Sequence, residues 1–237
     1  MSQVQAIFDR IAPIYDQMND WLSFGLHRVW KQMAVDWSCP IPEGRALDLC
    51  CGSGDLALRL AQKVGPRGQV WGVDFSSAQL ATARQRELNA TLPAADITWI
   101  ESDVLNLPLA DNSFDCATMG YGLRNVGNIP QCLRELYRVL RPGASAAILD
   151  MHRPPNHQLI AFQQWYLKTI VVPIAERQGM KSEYDYIQPS LDQFPTGPEQ
   201  IALAQQIGFH PTTHYLLAGG MMGVLVLTKP STLTPHG

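Results

Sequence analysis

The segment Cys51-Gly52-Ser53-Gly54-Asp55 could bind a ligand through its backbone, because it follows an apolar run and precedes a helical pattern. Glycines let a ligand approach the main chain closely, and a helix N-terminus attracts negatively charged groups. With Gly52, Gly54 and Ala57, the segment satisfies the dinucleotide fingerprint, and Asp74 follows about 20 residues later, as that fingerprint expects. The motif predicts a nucleoside-containing cofactor and leaves two candidates open, a nicotinamide nucleotide and S-adenosylmethionine.

Carboxylates near the ends of the apolar runs favour S-adenosylmethionine. Asp48 and Asp55 flank the glycine loop, where they would repel a pyrophosphate but could accept hydrogen bonds from the ammonium group of a methionine. Asp74 could accept hydrogen bonds from both hydroxyls of a ribose. Asp103 could accept one from an adenine amino group while the N–H of Val104 donates to a ring nitrogen. One nucleoside would thus be bound by successive strand ends.

The same residues also have structural explanations. Asp74 could cap the helix that begins near Ser76, and Asp103 could be a turn carboxylate. Cys50 and Cys51 are expected to be small core residues. Because the carboxylates recur at successive strand ends, caps and turns explain the set less well than a cofactor site does.

The elements that must position these residues alternate between strands and helices. The pattern predicts strands at 45–50, 69–74, 97–101, 116–119 and 145–150, and helices at 54–64, 76–89 and about 130–140. Such alternation predicts a mostly parallel, doubly wound sheet whose ligands lie beyond the carboxyl ends of the strands. The runs 214–217 and 223–228, joined through Ala218-Gly219-Gly220, predict an antiparallel hairpin instead.

Two amphipathic helices are predicted before the first strand. Their apolar residues recur at helical spacing and are Val4, Ile7, Phe8 and Ile11, then Leu26, Trp30, Met33 and Trp37. We expect them to form a cap on the sheet.

Composition restricts the class of partner. The 237 residues suit one α/β domain, and a net charge of −3 without a Lys/Arg cluster argues against a nucleic-acid partner. The odd number of cysteines, five, suits free thiols in a reduced compartment, and no secretory signal or membrane span is evident. We expect a cytoplasmic protein with, at most, transient contact with a membrane surface, and the sequence predicts no oligomeric state.

The cofactor residues and the block Leu140-Arg141-Pro142-Gly143 make the chain resemble the class I S-adenosylmethionine-dependent methyltransferases. That resemblance implies a Rossmann-like α/β fold, with a mostly parallel seven-stranded sheet and a C-terminal antiparallel hairpin. The usual first glycine of the loop is Cys50 here, so the turn must form without it. We expect the cofactor to be bound by Asp48, Gly52, Ser53, Gly54, Asp55, Asp74, Phe75, Asp103, Val104 and Gly120.

Four further blocks resemble one family over nearly the whole length, the quinone C-methyltransferases of menaquinone and ubiquinone synthesis. They are Phe8-Asp9-x-Ile11-Ala12-x-x-Tyr15-Asp16-x-Met18-Asn19, Ser23-x-Gly25-x-His27-Arg28-x-Trp30-Lys31, Gly122-Leu123-Arg124-Asn125-Val126, and Tyr184 through Phe194-Pro195. With its Cys50-Cys51 loop, the chain looks most like the cyanobacterial and plastid branch, which methylates 2-phytyl-1,4-naphthoquinone in phylloquinone synthesis.

The resemblance implies methylation of a reduced, prenylated naphthoquinone, either 2-phytyl-1,4-naphthoquinol or demethylmenaquinol. The quinol is required because only its phenolate makes the ring carbon nucleophilic. Three alternatives stay open: a ubiquinone-type benzoquinol, a nicotinamide-dependent oxidoreductase, and a nucleoside-binding module without catalysis. The expected single domain comprises a helical cap (1–40), a cofactor-binding core (41–152), a substrate lid (153–196), a helix with the hairpin (197–229) and a loose tail (230–237).

The resemblance also implies which residues act on the acceptor. Arg124 would stabilise the developing oxyanion or orient a water, since a guanidinium does not give up its proton, and Asn125 would hold a ring oxygen. The proton acceptor stays open among His27, which we place first, and Tyr121, Asp16 and His152.

Two further expectations concern the lid and metals. An apolar groove for the hydrocarbon tail is predicted around Phe162, Trp165, Tyr166, Ile170 and Val171, although helically spaced aromatic residues are more often core packing. No metal is expected, because His152 and His157 flank two prolines without helical spacing.

Overall fold

A computed structural model describes residues 25–92, 94–177 and 187–231, which form a seven-stranded sheet packed against helices. The strands are β1 (Arg45–Leu49), β2 (Gln69–Asp74), β3 (Asp96–Glu101), β4 (Phe114–Gly120), β5 (Leu140–Met151), β6 (Thr212–Leu217) and β7 (Met222–Thr228). The helices are α1 (Leu26–Trp37), α2 (Asp55–Val64), α3 (Ser77–Leu88), α4 (Ile129–Val139), α5 (His157–Tyr166), α6 (Val172–Arg177), α7 (Ile187–Gln193) and α8 (Gly197–Ile207). The first predicted cap helix, Asp16, Tyr184 and most of the predicted tail lie outside the described residues.

The strand order is β3-β2-β1-β4-β5-β7-β6. Strands β1 to β5 pair in parallel, whereas β7 is antiparallel to both β5 and β6. The predicted fold class, including the C-terminal hairpin, is therefore confirmed. The order reverses between β1 and β4, and this reversal opens a crevice at the carboxyl ends of the strands.

Local sequence explains where the helices beside the crevice begin. The Ser76 hydroxyl accepts from the N–H of Gln79 at 3.1 Å and caps α3. The Asn128 side chain accepts from the N–H of Gln131 at 3.1 Å, and Pro130 occupies the first turn of α4. These caps satisfy N–H groups that would otherwise lack partners.

The core lies on both faces of the central strands. Apolar side chains of β1, β4 and β5 are almost fully buried, as expected for parallel strands covered on both sides. The largest of the fully buried side chains include Leu47, Leu49, Phe114, Met119, Leu133 and Leu136. A rigid core therefore supports the strand ends that form the crevice.

Helix α1 has the predicted period, but its most buried face lies about one residue away from the predicted one. Leu26 is 51% exposed, whereas the buried residues of the helix are His27, Lys31, Ala34 and Val35. The small Ala34 and Val35 allow close packing on the sheet and on α2, and the ammonium of Lys31 has a carboxylate partner in α2. Helix α1 therefore packs through a more polar face than the one that its apolar residues predicted.

No helix within the described ranges is long and apolar enough to cross a membrane.

Candidate functional site

A cavity of about 560 Å³ lies at the carboxyl ends of β1 to β4, where the strand order reverses. Its size suits a small ligand or cofactor. The predicted site residues that line it are Asp48, Gly52, Ser53, Asp55, Asp74, Phe75, Asp103, Val104, Gly120, Tyr121 and Asn125. Gly54, Arg124 and His27 were also predicted, but they do not line it. The topology has therefore brought most of the predicted residues together.

Asp74, the last residue of β2, shapes the glycine loop as well as lining the cavity. Its Oδ2 accepts from the N–H of Gly52 at 2.8 Å, and its Oδ1 accepts from the N–H of Ser76 at 2.9 Å. The helix cap of α3 is Ser76 and not Asp74. The carboxylate thus fixes the distance between the loops that follow β1 and β2.

Asp103, after β3, lines the cavity and also makes the hydrogen bond of a turn carboxylate. It is exposed and lines the cavity, and its Oδ1 accepts from the N–H of Leu105 at 2.9 Å, as a turn carboxylate would. The buried Val104 lines the cavity beside it.

Cys50 makes the turn for which related loops use glycine. Its φ is +50°, in the left-handed region that residues other than glycine seldom adopt. A Cβ on Gly122 would lie 2.5 Å from the Cβ of Cys50, so the absence of a side chain at Gly122 makes room for the cysteine. The loop after β1 and the loop after β4 are therefore packed directly together.

Gly54 contributes to packing and to the turn, which explains why it does not line the cavity. Its φ is +84°, and a Cβ there would lie 2.6 Å from Cη2 of Trp99. The neighbouring Ser53 does line the cavity, and its hydroxyl accepts from Nη1 of Arg86 at 2.8 Å.

Asp48 is a buried carboxylate with one open oxygen. Its Oδ1 accepts from the hydroxyl of Thr118 at 2.8 Å, whereas Oδ2 has no hydrogen-bond partner among the described residues. Burial raises the pKa of Asp48 to about 8, against the opposing effect of the Thr118 hydrogen bond. A ligand cation at Oδ2 would compensate this burial, as expected for an ammonium group.

Lys31 is a cavity residue that the sequence analysis missed. It is buried in α1, and its Nζ lies 2.7 Å from Oδ2 of Asp55. Burial alone would raise the pKa of Asp55, but Lys31 and Arg59 outweigh that effect and lower it to about 2. The signal in the sequence that could have identified Lys31 is the helical spacing that places it on one face of α1 with Ala34 and Val35.

Arg124 lies in the 3₁₀ turn Leu123–Asn125 after β4 and does not line the cavity. Its Nη1 is 2.5 Å from Oδ1 of Asp150, its backbone N–H donates to Asp150 Oδ2 at 3.1 Å, and its Nε donates to the Ser190 hydroxyl at 3.3 Å. The guanidinium is held by Asp150, which lies near the end of the neighbouring strand β5. Its predicted contact with the acceptor stays a prediction.

Tyr121 and Asn125 lie on the cavity side of the same turn. Tyr121 has a φ of +59°, which is unusual for a bulky residue. The amide Nδ2 of Asn125 donates to the carbonyl of Tyr121 at 3.1 Å, and its Oδ1 has no hydrogen-bond partner among the described residues. Both side chains can therefore contact an acceptor.

The predicted histidine bases lie elsewhere. His27 is buried in α1, outside the cavity lining. His152 is buried with its Nε2 3.1 Å from Nε2 of His214, and burial, His214 and Arg124 lower its pKa to about 3. Tyr121 is the one candidate proton acceptor that lines the cavity among those in the described residues.

The five residues predicted to form an apolar groove in the lid do not line the cavity. Phe162 and Trp165 are 47% and 52% exposed, with ring centroids 5.9 Å apart. Val171, in a π-helical turn at Leu167–Val171 between α5 and α6, is buried. Core packing therefore explains Val171 but not the two exposed aromatic residues.

Comparison with known proteins identifies the relatives of this chain. The chain belongs to the ubiE/COQ5 methyltransferase family, whose sequence pattern matches residues 1–229. It is 61% identical over 228 residues to the 2-phytyl-1,4-naphtoquinone methyltransferase of Trichormus variabilis, covering 96% of this chain and 99% of that protein. It is 47% identical over 224 residues to the chloroplastic 2-phytyl-1,4-beta-naphthoquinone methyltransferase of Arabidopsis thaliana, covering 94% of this chain and 86% of that protein.

Solved structures agree on the fold. A S-adenosylmethionine-dependent methyltransferase of Thermotoga maritima, described as a possible histamine N-methyltransferase, superposes with a TM-score of 0.64 at 20% identity, covering 94% of this chain and 98% of that one. The predicted family and the predicted class of enzyme, an S-adenosylmethionine-dependent methyltransferase, are confirmed. This membership favours the methyltransferase over the nicotinamide-dependent oxidoreductase and over a module without catalysis.

Proposed function

We propose that this methyltransferase transfers the methyl group of S-adenosylmethionine to a ring carbon of 2-phytyl-1,4-naphthoquinol. The observation that carries the proposal is the high identity, over nearly the full length, to proteins named for that acceptor in cyanobacteria and in a plant. The cavity supports it, because it presents carboxylates for a nucleoside and a methionine next to aromatic and amide groups for a ring.

The lining residues fit the cofactor from one end to the other. S-adenosylmethionine, when bound, supplies an electrophilic methyl group and leaves as S-adenosylhomocysteine. The Asp103 carboxylate would accept a hydrogen bond from the adenine amino group, and the N–H of Val104 would donate one to a ring nitrogen. The Asp74 carboxylate, at the end of the neighbouring strand, would accept from the ribose hydroxyls. The open Oδ2 of Asp48 would accept from the ammonium group.

Tyr121 and Asn125 would align the acceptor ring. Methyl transfer from sulfur to carbon needs an in-line approach, so most of the rate enhancement comes from holding the two partners in position. The open Oδ1 of Asn125 can accept a quinol hydroxyl, and the Tyr121 hydroxyl can take part in moving the proton that leaves the quinol. Arg124 would support this turn through its ion pair with Asp150.

Because the acceptor is apolar, the enzyme must reach it in a lipid phase. We assign the contact with the membrane surface to the exposed aromatic residues of α5. Phe162 and Trp165 lie on one helix together, in the segment predicted to be the lid. An apolar patch of this kind can bind the surface of a bilayer transiently without spanning it. The enzyme would then take up a phytylated or prenylated quinol from the cytoplasmic face of a membrane.

The chemical test is a panel of acceptors with labelled S-adenosylmethionine. We expect turnover on 2-phytyl-1,4-naphthoquinol in the presence of a reductant and nearly none when the same acceptor is held oxidised. Equal turnover on both redox forms would contradict the mechanism. If the enzyme prefers demethylmenaquinol or a benzoquinol, the proposed methylation of a quinol carbon still holds, but the proposed acceptor is wrong.

The membrane contact is tested by sedimentation with liposomes. Phe162→Glu combined with Trp165→Glu should reduce the bound fraction and the turnover on lipid-embedded acceptor, while turnover on a short-chain soluble naphthoquinol is retained. Leu88→Glu is the matched control, because Leu88 is 79% exposed on another helix, α3. Equal sedimentation of all variants would refute the assigned surface.

A further inference from the structure

We propose that Gln163 of α5 is a positioning residue for methyl transfer, because it fixes the end of β5 and, through it, the turn that carries Tyr121 and Asn125. Residues 121–125 form this acceptor turn. The inference rests on the proposed function, since it concerns the alignment of the quinol. Gln163 itself lies outside the cavity lining and is assigned no contact with the acceptor.

Helix α5 is anchored to the core by a polar residue. Of its ten residues Gln163 alone is buried, whereas its neighbours Phe162 and Gln164 are exposed. Burying an amide costs free energy unless its polar atoms find hydrogen-bond partners. An apolar side chain of the same size would pack here without that cost, which indicates that the hydrogen bond made by Gln163 is what matters at this position.

The partner of Gln163 is the main chain directly after β5. Its Nε2 donates to the carbonyl of His152 at 2.8 Å, and the N–H of His152 donates to the carbonyl of Met221 at 2.9 Å. A Cβ on Gly223 would lie 2.6 Å from Cδ2 of His152, so the His152 ring packs directly on β7. The chain that leaves β5 is therefore held by α5 on one side and by the hairpin on the other.

The last residues of β5 also hold the acceptor turn. The carbonyl of Leu149 accepts from the N–H of Tyr121 at 2.7 Å. The carboxylate of Asp150 accepts from Arg124 twice, from its backbone N–H at 3.1 Å and from its Nη1 at 2.5 Å. A displacement of the end of β5 would therefore move the residues that are proposed to align the acceptor.

The connection between Gln163 and the acceptor turn is short and buried. Asp150 and His152 are two residues apart and almost fully buried, as is Gln163. Hydrogen bonds are stronger in a surrounding of low dielectric constant, and a close-packed interior transmits a displacement. Because methyl transfer depends on an in-line approach, a misplacement of about 1 Å far from the reacting atoms can lower the rate on the order of a hundredfold.

Steady-state kinetics of two neighbouring variants test the proposal. Gln163→Met removes the donor and nearly retains the size and shape of the side chain. With reduced short-chain soluble naphthoquinol we expect its kcat to fall about tenfold or more, with a smaller change in KM. Affinity for S-adenosylmethionine, measured by calorimetry, and sedimentation with liposomes should stay near the wild-type values. Gln164→Met is the matched control, because it makes the same change at an exposed position of α5, and it should retain the wild-type kcat.

A double-mutant cycle shows whether the effect passes through the acceptor turn. If Gln163 acts through Asp150 and Arg124, the losses of kcat in Gln163→Met and Arg124→Lys should be less than additive in free energy when the two are combined. Additive losses would overturn the proposed connection, because two independent sites would then be affected.

The proposal is overturned if Gln163→Met keeps the wild-type kcat or if Gln164→Met loses as much. A parallel loss of cofactor affinity and kcat would also overturn it, because it would indicate a general loss of structure. If Gln163→Met does not fold, Gln163→Glu decides, since its carboxyl group can donate only while it is protonated. Its kcat relative to the wild type should then fall as pH rises, and a constant ratio would overturn the proposal. A wild type that methylates no quinol would instead contradict the proposed function.

Discussion

Arg124 and Asp150 form a buried ion pair in which Nη1 lies 2.5 Å from Oδ1, with side-chain exposures of 9% and 1%. Oδ2 of the same carboxylate accepts the backbone N–H of Arg124 at 3.1 Å. The pair joins the turn after β4 to the end of β5, and Ser190 extends the contact to α7. It therefore supports the wall of the cavity that carries Tyr121 and Asn125.

Asp150→Asn should lower the free energy of unfolding by about 3 kcal/mol or more, because it removes the buried carboxylate charge that pairs with the guanidinium of Arg124. Urea denaturation measures the loss. Asp111→Asn breaks the more exposed ion pair with Arg138 and should cost less than about 1 kcal/mol. Similar losses in the two variants would show that the buried pair has no special importance.

Arg124→Lys should lower turnover more than tenfold while cofactor affinity stays near the wild-type value, because lysine cannot reproduce the planar set of donors to Asp150 and Ser190. The melting temperature should fall with it, since the replaced contacts are buried. Steady-state kinetics, calorimetry and thermal unfolding on one preparation separate these effects. Turnover at the wild-type rate in Arg124→Lys would show that these contacts of the turn after β4 do not support catalysis.

Asp74→Ala should weaken S-adenosylmethionine binding and also lower stability, because the carboxylate holds the N–H groups of Gly52 and Ser76. Each hydrogen bond to a charged group contributes roughly 1.5 to 3 kcal/mol. Asp103→Ala is the comparison, since Asp103 is exposed and should lose cofactor affinity with little change in melting temperature. Normal cofactor affinity in Asp74→Ala would refute the ribose assignment.

Asp48→Asn should stabilise the protein increasingly as pH rises and should bind the cofactor less well. Burial raises the pKa of Asp48 in the folded state to about 8, above its ordinary value of 3.8. The unfolded chain therefore releases this proton first, and the wild type loses stability as pH rises from about 4 to about 8. Thermal unfolding of both proteins across that range should show a difference that grows with pH and then levels off. A constant difference would indicate that Asp48 is ionised throughout.

The buried histidine pair should make the fold sensitive to acid. Burial lowers the pKa of His152 to about 3 and also lowers the pKa of His214, so both are neutral when folded. The unfolded chain takes up protons first, and stability is lost as pH falls from about 6.5 towards 3. His152→Gln should flatten this decline, whereas His157→Gln, at an exposed position on α5, should leave it intact. The same loss of stability at low pH in the wild type and in both variants would contradict this explanation.

The sequence by itself determined the sheet and most of the cofactor site. Asp48, Asp74 and Asp103 lie near the carboxyl ends of apolar runs, and parallel strands bring such ends to one edge of a sheet whatever the details of packing. Short-range signals were also informative, since the helix predicted at 76–89 is present as α3. Element bounds differed mainly by a residue or two, except for the early start of β5, because helix and strand ends depend on neighbours that local patterns do not include.

Only the tertiary structure decided where the long charged and aromatic side chains point. Lys31 lines the cavity and pairs with Asp55, 24 residues away, whereas Arg124 does not line it and pairs with Asp150, 26 residues away. His152 does not line the cavity, and it contacts His214, 62 residues further along the chain. The direction of such a side chain is set by a partner brought close by the fold, so no local spacing or periodicity could have predicted it.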